Sequence, residues 1–498
     1  MLKTIKSASL LGIDAIEINV EVDCKKGLPT ELIVGLPDTV IRESRSRIKA
    51  AIKNSGYEYP LRNYTINLAP ADLQKEGAVF DLPIAVGLLA VTEQLPTIPN
   101  AFFVGELSLN GSVKPIRGII SICELLLQHN YKTIYLPYDN LAEAQLIESI
   151  NIIPIKHLQD LETQLTKPCI PVIKKIEKQS PQRLLDYSDV KGQELGKRAV
   201  EIAAAGKHNL LFIGPPGSGK SMLLKRLPSV LPDLSTQEAI ATYKIQSISK
   251  QHLQKVPYSL SPPFRSPHHS ISYAGMVGGG TKPTPGEISL AHNGVLFLDE
   301  VAEFNRQVLE VLRQPIENKC ITISRASLSI DYPANFMLVA AMNPCPCGYV
   351  HDPVKDCSCT PYQIMQYKKK LSGPIIDRFD LIVEIPRLKH QDFEHQNTNF
   401  TSTKMSNNIN LAIQQQQQRY QKPLQNGELT PQEIQHYINI EPESRQFLAQ
   451  LVEKGSITAR SFDHIIKVSQ TIADLNNSAT ITHDCVLEAL HFRKIVSF

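Results

Sequence analysis

Residues 209–221, NLLFIGPPGSGKS, constrain this chain more than any other stretch, because a glycine-rich loop between a buried strand and a helix is compatible with few folds. Leu210, Leu211, Phe212 and Ile213 form a short apolar run suited to a strand covered on both faces. Gly214, Pro215, Pro216, Gly217, Ser218, Gly219, Lys220 and Ser221 then satisfy GxxxxGKS at every position, and the following MLLKRL reads as helix. In such a loop the backbone N–H groups turn inward on phosphates. The lysine reaches the β/γ oxygens and the hydroxyl ligates Mg²⁺. The expected fold class is α/β with a P-loop ATPase core, and the expected ligands are ATP and Mg²⁺.

A second part of such a site lies downstream. Residues 292–300, HNGVLFLDE, read as an apolar strand ending in two carboxylates. Asp299 is expected to complete the Mg²⁺ shell beside Ser221, and Glu300 to polarise the attacking water. Residues 336–343, FMLVAAMN, predict another buried strand, inserted between the Mg²⁺ strand and the P-loop strand, with Asn343 at its tip to orient water against the γ-phosphate. Arg378, just before the apolar run LIVEIP, is placed to touch a neighbouring subunit's ATP. Arg460 opens a helix near the C-terminus and is placed to reach back over the phosphates.

The ordered set GPPGSGKS, GVLFLDE, AAMNP, DRFD and SITAR, with FRSPHHSIS, GEISLAHNG and TIADL, resembles the ComM/YifB family of magnesium-chelatase-like AAA+ ATPases along nearly the whole chain. Near the N-terminus, GLPDTVIRESRSRIKAAI and NLAPADLQKEGAVFDLPIAVGLL look like that family's Lon-like domain, an α+β unit of the ribosomal S5 domain 2 type. The resemblance implies an AAA+ core with a helical lid, a hexameric ring, and action on single-stranded or branched DNA. The implied activity is that of a branch-migration helicase in natural transformation, with recombination proteins as possible partners. A metal-chelatase-type motor and a protein-remodelling chaperone are the competing classes.

Composition agrees without deciding among these. A chain of 498 residues holds about three ordinary domains. Its net charge of +3 leaves no global footprint for nucleic acid, so any DNA surface must be local. Asp14 and Glu17 interrupt the N-terminal apolar patch, so no signal peptide is read, and no apolar run reaches membrane-spanning length. The expected compartment is the cytoplasm. Composition shifts suggest a Lon-like unit at 1–166, a Pro/Lys linker at 167–185 and the ATPase core at 186–388. A polar, glutamine-rich mobile connection is expected at 389–425, with a short helix around Gln414–Gln418, and a helical lid at 426–498.

The Lon-like segment lacks the protease dyad. Where a Lon site reads KDGPSAG, residues 75–81 read KEGAVFD, putting Val79 at the nucleophile; residues 117–122, RGIISI, put Ile120 at the lysine. Neither side chain can perform that chemistry. Ser108 and Ser112, on the GELSLNGS hairpin, have no evident base.

Cys345, Cys347, Cys357 and Cys359 form two CxC pairs directly after the Asn343 strand. Four thiolates close a tetrahedral structural zinc site; bystander thiols or a redox pair are the alternatives. His268 and His269 read as structural or subunit-contact residues. The run Gly278–Gly280 with Lys282 reads as a flexible insertion tip. With the hairpin 319–331, carrying Lys319 and Arg325, it is the candidate for contacting DNA phosphates.

Overall fold

The computed structural model describes residues 1–25, 27–73, 75, 77–170, 185–249, 259–280, 284–325, 328–350, 352–388, 400–455 and 457–493, without the side chains of Arg325 and Leu328. Most of the expected linker therefore lies outside the described residues, as does Lys282. Two compact units form: Met1–Glu177 with Tyr243–Tyr258, and Lys178–Thr242 with Ser259–Phe498.

The first unit is built on a seven-stranded mixed sheet. Its strand order is Glu31–Val34, Asn63–Ala69, Asp14–Lys25, Leu2–Leu11, Ala101–Phe103, Thr133–Pro137 and Asn151–Ile155. The long Leu2–Leu11 and Asp14–Lys25 strands pair antiparallel, from Leu2 opposite Asp23 to Leu11 opposite Asp14. Ile18, Val20, Val22 and Cys24 alternate into the core, the period-2 pattern of a half-covered strand. Helix Thr39–Asn54 is capped by Asp38, whose side chain accepts from the Ile41 amide. It buries Ile41, Ser44, Ile48, Ala51 and Ile52, one stripe at helical spacing. Val79 lies half-buried in the short turn Ala78–Phe80, and Ile120 is buried in helix Ile119–Gln128. Ser108 donates its backbone N–H to Ser112 O at 2.9 Å within the hairpin joining Glu106–Leu107 to Val113–Lys114.

The second unit carries a five-stranded sheet in the order Phe264–Arg265, Val295–Leu298, Met337–Met342, Leu210–Ile213 and Leu381–Glu384. Every pairing in it is parallel. The strand ahead of Asn343 thus runs between the P-loop strand and the strand ending at Asp299. Leu210–Ile213, Val295–Leu298 and Met337–Met342 are buried throughout, as continuous apolar runs in a parallel sheet require.

The expected mobile connection is corrected over its described part, 400–425, where the short helix expected around Gln414–Gln418 is the end of a longer one; residues 389–399 lie outside the described residues. Ser402–Tyr420 is a 19-residue helix, capped by Thr401, and it buries Met405, Ile409, Ala412, Ile413, Gln416 and Tyr420. The apolar ones and Tyr420 share one core with the P-loop strand and the C-terminal helix Ala459–Leu475. Polar composition concealed the helix because part of its buried face is hydrogen-bonded rather than apolar. Gln416 donates to Ala205 O at 3.1 Å and accepts from the Asn426 amide at 2.9 Å. Asn426 in turn donates to Thr471 and to Asp474, each at 2.9 Å. A hydrogen-bonded network of this kind helps to fix the helix in place.

Candidate active site

The P-loop leaves the sheet at the end of Leu210–Ile213. Gly214 must be glycine: a Cβ there would lie 2.2 Å from the Ile385 carbonyl oxygen. Gly217 and Gly219 adopt φ of 77° and 91°, the left-handed region that lets successive amides face one point. Lys220 folds back onto the loop, donating to Gly214 O at 2.7 Å and Pro215 O at 2.8 Å, with Asn343 Oδ1 at 3.3 Å. Burial lowers its pKa to about 8, against the pull of Asp299 and Glu300. Its present partners are neutral carbonyls that phosphate oxygens can replace.

Ser221 Oγ donates to Asp299 Oδ1 at 2.9 Å, so the hydroxyl and carboxylate expected to share Mg²⁺ meet. This pair of oxygen donors suits a hard divalent cation. Glu300 is exposed at a left-handed φ of 51° as the chain turns off the strand. Lys220 and Ser221, adjacent in the loop, are therefore linked side chain to side chain to Asn343 and Asp299 respectively, with Glu300 adjoining Asp299 in sequence.

The two arginines lie elsewhere in the unit, and they lie together. Arg378 and Arg460 both pair with Glu317 Oε1, Arg460 at 2.8 Å. The Arg378 side chain is only 10% exposed, and its Nε and Nη1 are buried without hydrogen-bond partners. Burial, then the charge of Arg460, lowers its pKa despite Glu317. Asp380, in the same DRFD run, is buried. It accepts from the Asn209 amide at 2.9 Å and pairs with His464, tying the Arg378 segment to the helix that carries Arg460. Its carboxyl is held well below the usual range, because His464 and His208 outweigh the effect of burial.

The four cysteines converge. Their sulfurs all lie within 4.8 Å of one another, with Cys345–Cys347 at 3.4 Å, Cys345–Cys357 at 3.7 Å and Cys347–Cys357 at 3.5 Å. A tetrahedral Zn–S shell of about 2.3 Å places sulfurs about 3.8 Å apart, so the set fits such an ion. Backbone amides point at these sulfurs: Gly348 N and Val350 N at Cys345, 3.2 and 3.4 Å, and Cys347 N at Cys359, 3.3 Å. The His268 and His269 rings lie tilted against each other, 4.0 Å between centroids, without joining any such cluster among the described residues.

The candidate DNA contacts are dispersed. Lys319 stands at the foot of the hairpin Cys320–Arg325/Leu328–Pro333, where Nζ bonds Glu428 at 3.0 Å. Arg325 reaches the hairpin's far end by its backbone position.

Comparison with known proteins now decides the family. The family described as "Magnesium chelatase, subunit ChlI" matches residues 186–393. "Subunit ChlI of Mg-chelatase" matches 20–140, and the ChlI C-terminal family matches 399–493. The YifB protein of Escherichia coli K12 is 43% identical over 503 residues, covering 99% of this chain and 97% of that protein. Competence protein ComM of Haemophilus influenzae is 40% identical over 504 residues, covering 99% and 98%. The chain belongs to the ComM/YifB family of magnesium-chelatase-like AAA+ ATPases. A shorter likeness, 31% over 93 residues, links 18% of the chain to 17% of Lon protease 2 of Bacillus subtilis.

Family motifs did not point to Glu317 or Gly348. Glu317 sits in RQPIEN, an ordinary polar helix turn, and only the fold shows that it pairs with both arginines. Gly348, at φ 86°, lies so close to the P-loop that a Cβ would meet Pro216 Cδ at 2.5 Å and Asn343 Cγ at 3.7 Å. A glycine between two cysteine pairs was the sole sequence signal. No helix is long and apolar enough to cross a membrane among the described residues.

Proposed function

We propose that this protein is an ATP-driven motor that assembles as a hexameric ring and moves branched DNA, a branch-migration helicase promoting integration of transforming DNA by homologous recombination. The observation that carries this reading is the end-to-end likeness to a competence protein in a chain whose phosphate loop, Mg²⁺ carboxylate and Asn343 are joined. Mg²⁺ held by Ser221 and Asp299 supplies charge neutralisation for the β- and γ-phosphates. Lys220 exchanges loop carbonyls for phosphate oxygens, Glu300 orients water and accepts its proton, and Asn343 aligns that water. Arg378 serves a neighbour's nucleotide, and Arg460 acts from a lid formed by the C-terminal helices.

The N-terminal unit, with valine and isoleucine in place of the dyad, is a ring-building or binding module of the Lon/S5 type without protease activity. Cys345, Cys347, Cys357 and Cys359 hold a structural zinc. Four thiolates leave no open coordination position, so the ion has no catalytic role. Lys282 and Arg325 are the DNA-facing cations, Lys319 being engaged by Glu428, and the protein works in the cytoplasm. A chelatase-type motor is the second reading, favoured by the subunit after which the matching family is described.

The deciding experiment follows a labelled three-stranded junction with Mg-ATP, wild type beside Lys220→Ala. Branch migration by wild type alone is expected, with affinity falling steeply as salt rises. An assembled, ATP-hydrolysing oligomer that leaves junctions unmoved would refute the helicase reading. Mg²⁺ insertion into a porphyrin by that oligomer with partner subunits would establish the second.

A further inference from the structure

The cysteine loop and the nucleotide site are in contact at several points, and the contacts converge on two residues the chemistry needs. Gly348 is bonded to the cluster, its amide donating to Cys345 O at 3.0 Å and lying 3.2 Å from Cys345 Sγ. Its Cα is pressed against Pro216 at the tip of the P-loop, leaving no space for a Cβ. Asn343, whose Oδ1 lies 3.3 Å from Lys220 Nζ, is separated from Cys345 by Pro344 alone. The far end of the loop returns to the same place. Cys359 leads through Thr360, which forms a capping box with Gln363, into helix Pro361–Lys368. Tyr367 on that helix is buried, with its hydroxyl facing the backbone N–H of Asn343. Asp352, between the cysteine pairs, has a buried side chain that pairs with Arg387 at 3.3 Å. Arg387 closely follows Ile385, whose carbonyl confines Gly214.

The loop is held by side-chain contacts rather than by regular structure. Between Tyr349 and Thr360 it contains no helix or strand among the described residues, and Val354 is exposed. Short irregular segments of this kind depend on a cross-link for a fixed shape. The four sulfurs, at the separations of a tetrahedral ion's ligands, are where such a cross-link would be made.

We infer that the metal held by Cys345, Cys347, Cys357 and Cys359 is a strut for nucleotide binding: it fixes Gly348 and Tyr367, which set Pro216 and Asn343 in the geometry that receives phosphate. The inference rests on the ATP-binding and zinc readings above and adds a dependence of one site on the other. Gly348 is then a positioning residue. It touches no phosphate; it presents the rigid loop to Pro216 at a distance that only glycine permits.

The test uses the full chain in four forms: wild type, wild type stripped of metal and reloaded with zinc alone, Cys357→Ser, and Gly348→Ala. Zinc content is measured by mass spectrometry, Mg-ATP affinity with a fluorescent ATP analogue, and protection of the P-loop amides by hydrogen exchange. Wild type should hold about one zinc per chain. Stripping should weaken nucleotide binding by about tenfold or more and loosen the P-loop amides, and zinc should restore both. Cys357→Ser should match the stripped form. Gly348→Ala should keep its zinc and still lose affinity, which separates the strut from the metal itself.

Stripping guards against a Cys357→Ser chain that does not fold, since it is reversed on the same molecules. Full zinc loss with affinity and P-loop protection within twofold of wild type would overturn the strut while leaving the zinc reading intact. A wild type that takes up no zinc would overturn the zinc reading, and the strut with it. A wild type that binds zinc but no nucleotide would overturn the ATP reading instead.

Discussion

Glu428 offers a quantitative test of how the C-terminal helices are held to the ATPase core. Its Oε1 accepts from Lys207 at 2.8 Å, Lys319 at 3.0 Å and Asn335 Nδ2 at 3.1 Å, while the side chain is 11% exposed. Burial alone would raise its pKa, but the charges of Lys207 and Lys319 outweigh burial and lower it from 4.5 to about 2. That drop corresponds to about 3 kcal/mol of folding stability. The folded-state value is depressed, so the stabilisation is complete above the unfolded carboxyl's pKa and is lost as pH falls toward 2. At pH 3 less than half, about 1.4 kcal/mol, remains.

Glu428→Gln keeps one carbonyl acceptor and removes the charge. Lys319 is 42% exposed and regains water, so most of the cost comes from Lys207, 18% exposed. The expected loss at pH 7 is about 2–3 kcal/mol, read from urea unfolding followed by circular dichroism. The gap between wild type and variant should shrink by about half or more at pH 3. A gap below about 0.5 kcal/mol at pH 7, or one unchanged at pH 3, would refute the reasoning that a buried charge pair fastens this junction.

Lys220→Ala should lose ATP binding, whereas Glu300→Gln should bind ATP and turn it over slowly; a Glu300→Gln chain hydrolysing at the wild-type rate would remove the water-orienting role. Arg378→Ala should lower turnover by about 10³-fold or more. Mixing it with Lys220→Ala subunits should recover activity at hybrid interfaces, and failure despite demonstrated co-assembly would place the arginine in cis.

What could be read from the sequence follows from how local each signal is. The P-loop, Asp299 and the strand before Asn343 are runs whose chemistry and secondary structure are specified by adjacent residues, and the parallel sheet places them where the pattern predicts. The polar segment misled in its described part, 400–425, because polarity is a poor guide to exposure when polar side chains find partners in distant sequence. Gln416 finds Ala205 and Asn426, and Arg419 finds Asp474, 55 positions away. Glu317 was invisible for a related reason: its meaning depends on two arginines that lie far downstream of it in sequence. The same holds for Lys319, which composition offers as a free cation at a hairpin's base and the fold couples to Glu428. Charge on this protein therefore cannot be assigned to DNA by counting. A lysine already paired with a buried carboxylate releases no counterion when a phosphate approaches, unless that pair first breaks. Lys319→Ala should accordingly lower the unfolding free energy while leaving the salt slope of DNA binding unchanged. A slope reduced by about one would mean that the pair opens on DNA and that Lys319 faces phosphate after all.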